Sequence, residues 1–124
     1  MKYLRLVIAT LLIPATLTFA HGEHRPGPHG GEIRMPGSFH TEVVSPTPTT
    51  FQVYILGVQF EDRPPQGWTV SSSYDGSPAT CERTRSSFSC RLKTGSLRAP
   101  GMLEIKVTRG NKESTANYET PLKF

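Results

Sequence analysis

The stretch MLEIKVTRGNKESTANYET, residues 102–120, decides the fold class. Leu103, Ile105 and Val107 alternate with Glu104, Lys106 and Thr108, so the apolar side chains share one face of an extended strand. Gly110-Asn111 turns the chain, and Ser114–Thr120 returns as the partner strand. Upstream, FQVYILGVQF (Phe51–Phe60) is rich in branched and aromatic residues and predicts a central strand with a bulge or bend at Gly57. Trp68–Tyr74 also alternates, and Asp75-Gly76 ends it. Ala79–Arg85 and Phe88–Lys93 predict a hairpin turning near Arg85-Ser86. In SFHTEVV, residues 38–44, Phe39, Thr41 and Val43 face one way and His40, Glu42 and Val44 the other. Breakers separate these runs at Ser45-Pro46-Thr47-Pro48, Pro64-Pro65-Gln66-Gly67 and Ala99-Pro100-Gly101.

No helical period of useful length is present. About seven short strands at roughly 8–12-residue spacing predict an all-β domain over residues 38–124. The expected form is a small antiparallel β-sandwich of immunoglobulin-like type, with Trp68 as core anchor and a small β-barrel as the alternative.

The first twenty residues read differently. Lys2 and Arg5 precede the apolar run Leu6–Ile13, and Thr18-Phe19-Ala20 offers small residues before a cut. Residues 1–20 are therefore expected to be a signal peptide cleaved after Ala20, which makes the mature chain periplasmic or secreted. No second apolar run has membrane length, so no membrane insertion of the mature chain is expected. Cleavage would remove two cations and no acid, lowering the formal charge from +4 to +2. Arg83, Arg85, Arg91 and Lys93 cluster without any recognisable nucleic-acid module and read as a solvated strand face. The only cysteines, Cys81 and Cys90, fit the two arms of one hairpin, and export favours a disulfide between them. Such a closure contributes about 2–3 kcal/mol in the chain-entropy view.

Residues 21–37, HGEHRPGPHGGEIRMPG, hold five glycines and three prolines, and predict a flexible arm before the domain, mobile at its start and with order beginning near Gly31. All four histidines, His21, His24, His29 and His40, fall within 20 residues of one another. After cleavage the His21 amine and imidazole would form a bidentate nitrogen pair suited to Cu(II). His24, His29 and His40 add imidazoles, Glu42 adds oxygen on the face of His40, and Met35 adds a thioether suited to Cu(I). Zinc is the weaker candidate, because the spacing matches no tetrahedral zinc motif.

The run Pro28-His29-Gly30-Gly31 followed by Gly37-Ser38-Phe39-His40-Thr41-Glu42-Val43-Val44 resembles a pattern in small periplasmic proteins and in modules on heavy-metal efflux adaptors. Those proteins show a His-rich leader, a P-x-G-G element and then G-x-x-H-x-E before an apolar residue. The resemblance spans roughly residues 28–60 and implies a β-sandwich associated with copper or other heavy-metal handling, with efflux components as partners. It carries over to His29, His40 and Glu42. A mature N-terminal histidine on a small sandwich is also similar to periplasmic copper-resistance carriers.

Catalysis is not expected. No G-x-S-x-G run and no phosphate loop is present, and every histidine lies N-terminal to the main strand pattern. Two readings follow: an exported metal carrier or sequestering protein, or a metal-free interaction or adhesion module.

Overall fold

The computed structural model describes residues 25–124. The expected signal peptide of residues 1–20, His21 and His24 lie outside the described residues. Nine strands form among them: β1 (Glu32–Arg34), β2 (His40–Val44), β3 (Thr50–Leu56), β4 (Thr69–Tyr74), β5 (Ser77–Pro78), β6 (Thr80–Arg83), β7 (Phe88–Arg91), β8 (Gly101–Arg109) and β9 (Lys112–Thr120). They make two antiparallel sheets, ordered β1-β2-β3-β7-β6 and β5-β4-β8-β9. The molecule is an all-β sandwich; the two sheets do not close, so the barrel alternative falls.

The β8–β9 hairpin forms in the register its alternation demands, with Leu103 opposite Tyr118, Ile105 opposite Ala116 and Val107 opposite Ser114. Its inward residues meet Val43, Phe51, Val53 and Ile55 of the facing sheet in one core. Trp68 is buried there, tilted against Phe39 with ring centroids 4.9 Å apart. Burying an aromatic side chain of this size contributes about 2–3 kcal/mol. Cys81 and Cys90 stand directly opposite each other on β6 and β7 and are disulfide-bonded, as their spacing predicts.

Tyr118 ties the sheets together by polar means. Its hydroxyl donates to the Thr41 carbonyl at 2.9 Å and lies 2.6 Å from the Thr41 hydroxyl. Burial pushes the Tyr118 phenol well above its usual value, outweighing the opposing pull of Thr41 and Arg34. Arg34 lies over the Tyr118 ring at 4.8 Å and donates through Nε to the Asn117 carbonyl at 2.9 Å. That contact fastens the short edge strand β1 to β9 in the other sheet.

Two expectations need correction. The segment 21–37 is not a free arm over its described part: it supplies β1, paired to β2 from Glu32–Val43 to Arg34–Thr41. The domain boundary at Ser38 therefore falls inside the folded unit. The central strand also stops at Leu56, short of Phe60. Gly57 starts a tight loop, donating to the Glu61 carbonyl at 2.8 Å, and Phe60 takes a positive φ of 65°. A side chain at position 57 would collide with the Glu61 carboxylate, which explains the glycine.

These two segments share a task. β2 is buried on both faces, not one. Thr41 and Val43 face the core, while His40 and Glu42 point to the opposite side with Ile33, Tyr54 and Leu56. Residues 25–31 and the 57–63 loop cover that second face.

Candidate histidine and carboxylate site

Glu42 is the centre of the covered face. Its side chain is fully buried. The His29 amide donates to both carboxylate oxygens, at 3.2 and 2.9 Å, and the Gly31 amide donates to Oε2 at 2.8 Å. The Pro28-His29-Gly30-Gly31 run forms a turn around the carboxylate, a concave nest of backbone N–H groups for an anion. The Gly30 amide closes it on the Gly27 carbonyl at 2.9 Å, and the Gly27 amide donates to the Gly31 carbonyl at 2.8 Å. Gly30 has φ of +80°, and a methyl group on Gly31 would collide with the Val43 carbonyl oxygen. The P-x-G-G element and the later glutamate are thus two halves of one structural contact.

His40 lies two residues before Glu42 on the same face. Its Nδ1 donates to the Gly57 carbonyl at 2.8 Å, which leaves Nε2 as the lone-pair nitrogen. The ring is buried and stacked against Phe60, with centroids 4.3 Å apart. Donation of one ring N–H to a backbone carbonyl is the arrangement that metal-ligating histidines commonly show. Here, however, Phe60 covers the ring.

His29 is the reachable imidazole. Its ring stacks on Tyr54 at 3.7 Å, nearly parallel at 7°. Its Nε2 lies 2.6 Å from Asp62 Oδ1. The His29 side chain is 27% exposed and that of Asp62 68%, so the pair sits at the solvent boundary. With Nε2 engaged by Asp62, Nδ1 is the nitrogen left for another partner. A cavity of about 240 Å³ on the covering segments is lined by Arg25, Pro26, Gly27, Pro28, Ile33 and Phe60, and neither His29 nor Asp62 lines it.

The structure thus separates the predicted ligands. His29 is half-buried at the surface, His40 is beneath Phe60, Glu42 is enclosed by backbone amides, and Met35 is exposed on the chain after β1. Among the described residues, no three His, Cys, Asp or Glu side chains converge as a chelate. Three contributors escape sequence reading: Tyr54, Phe60 and Asp62. Tyr54 sits on the polar side of an apolar strand, and Glu61-Asp62 reads as an ordinary polar turn. Only the return of the 57–63 loop, with a bridge between Leu56 and Asp62, brings that carboxylate to His29.

No protein family, no curated protein and no solved structure gives a significant match to this chain. Among the described residues, no helix is long and apolar enough to cross a membrane.

Proposed function

We propose that this chain is an exported, non-catalytic metal-binding protein that carries or sequesters copper and hands it to efflux components. One observation carries this reading: a solvent-reachable imidazole, His29, held rigid between Tyr54 and Asp62. A carboxylate on one ring nitrogen fixes the tautomer and raises the basicity of the other, which is how metal proteins prepare a histidine ligand. His24 lies five positions upstream, and His21 would supply an amine and an imidazole after cleavage. Such a nitrogen set prefers Cu(II) over the other common divalent ions. Glu42 is assigned to the fold and not to the ion, because its oxygens already accept backbone amides. His40 becomes a ligand only if Phe60 moves away from it. A binding role is preferred to a catalytic one because, among the described residues, neither the His29 nor the His40 imidazole is hydrogen-bonded to a serine, threonine or thiol nucleophile, and both cysteines are in a disulfide.

Calorimetric titration of the mature protein with Cu(II) and Zn(II) tests this. Cu(II) should bind more tightly than about 10 μM and more tightly than Zn(II). His29→Ala should weaken Cu(II) binding by at least about tenfold, the loss seen when a ligand or its supporting partner is removed. Binding of neither metal at that level overturns the reading.

A metal-free interaction module is the second reading. It draws on the half-exposed polar face of β3 and β7, where Gln52 is bonded to Ser89. Melting with and without Cu(II) separates the two. A ligand at 100 times its dissociation constant adds about 2.7 kcal/mol, and the interaction module gains nothing.

A further inference from the structure

A second site stands apart from the histidines, at the end of the sandwich where the β8–β9 hairpin turns. Arg109 and Lys112 are directly opposite each other as the last pair of that ladder. By register both lie on the side of Val107 and Ser114, and all four line one cleft of about 710 Å³ with Phe39 and Trp68. That volume lies in the usual range of small-molecule sites.

Two independent features point to an anion. Like charges directly opposed on a ladder repel each other and destabilise it. Yet among the described residues no carboxylate lines this cleft, and neither Arg109 nor Lys112 forms an ion pair. The Arg109 guanidinium also lies over the Trp68 ring at 4.8 Å. Among the described residues no protein acceptor takes a hydrogen bond from this guanidinium, so its N–H fork is free for a planar, two-oxygen partner. The floor beneath is apolar, formed by the packed rings of Phe39 and Trp68.

We propose that this cleft binds a carboxylate carried on an apolar frame. The Arg109 fork takes the carboxylate bidentately, Lys112 supplies the second charge, and the frame lies toward Phe39 and Trp68. The group belongs either to a free organic acid or to an acidic side chain of a polypeptide. The assignment does not involve His29, so metal titration and this test succeed or fail separately.

Trp68 is the only tryptophan, and its emission reports on the site. The purified protein is titrated at constant ionic strength with 3-phenylpropionate, with its amide, with an end-blocked Phe-Glu peptide and with inorganic phosphate. A saturable change with the acid or the peptide is expected, with a dissociation constant below about 1 mM. A tighter fit for the peptide marks a protein segment as the source, and a tighter fit for the acid marks a small molecule. Arg109→Lys should weaken binding by at least about tenfold, since the charge stays but the fork is lost. Lys112→Gln should weaken it by about threefold or more. Three results would overturn the proposal: no saturable change with either carboxylate, equal binding of the amide or phosphate, or unchanged affinity in a folded Arg109→Lys protein.

Discussion

The two edges of the five-stranded sheet are secured by different chemistry. At one edge, β6 is bonded covalently to β7 through Cys81 and Cys90, and the outer face beside it is bare and polar. At the other, β1 and β2 are held by side chain–backbone contacts, and their outer face lies under residues 25–31 and the 57–63 loop. A disulfide acts on two strands that already pair locally, nine residues apart. The Glu42 nest acts over a longer span, joining residues 29 and 31 to 42. The glycine-rich N-terminal segment thus does at one edge what a crosslink does at the other: it fixes an edge that would otherwise fray.

The most damaging way to break the covered edge is Glu42→Ala. It leaves the His29 and Gly31 amides without their acceptor and opens a buried space. The expected loss is about 3–5 kcal/mol by chemical denaturation, with backbone exchange rising first in residues 25–34. Removing the other fastening, with Cys81→Ala and Cys90→Ala together, should cost about 2–3 kcal/mol and leave exchange at β1 unchanged. If both variants loosen the same strands, the two edges are not independent.

Tyr118→Phe probes the link between the covered edge and the second sheet. Loss of its bonds to Thr41 should cost about 1–2 kcal/mol at neutral pH. The pH profile sharpens this. An unfolded chain releases the phenolic proton near pH 10, whereas burial keeps it on Tyr118 at higher pH. The folded state therefore binds more protons above pH 10, so this contribution is flat below that pH and stability falls as pH rises beyond it. The variant should show a shallower fall.

Asp62→Asn should have the smallest effect on stability, less than about 1 kcal/mol, because the Asp62 side chain is largely exposed to solvent. Its Cu(II) affinity should nevertheless drop, since Asp62 orients the ring. A melt and a metal titration on the same variant separate the two effects.

Much of the sandwich is legible in the residues. The alternation of Leu103, Ile105 and Val107 and the pairing of Cys81 with Cys90 both appear in the structure as read. The covered face is not legible in the same way. Period-two alternation in residues 39–44 implies one buried face, but β2 has two. The cover comes from a segment whose glycines and prolines carry no periodicity, so composition alone reads it as a mobile arm. Its order depends on one buried carboxylate twelve residues beyond Gly30. The P-x-G-G and H-x-E motifs are visible as patterns, but that His40 and Glu42 are both covered while His29 stays reachable is not.

Strand, turn and disulfide follow from residues near one another in the chain, because side-chain alternation and hairpin pairing are local rules. The fate of each polar side chain is a different matter. Glu42 is enclosed while Asp62 is open, His40 is covered while His29 is reachable, and Arg109 and Lys112 face one cleft. Each of these depends on which distant segment packs against which face. Burial and access are set by long-range packing, and only the folded chain decides them.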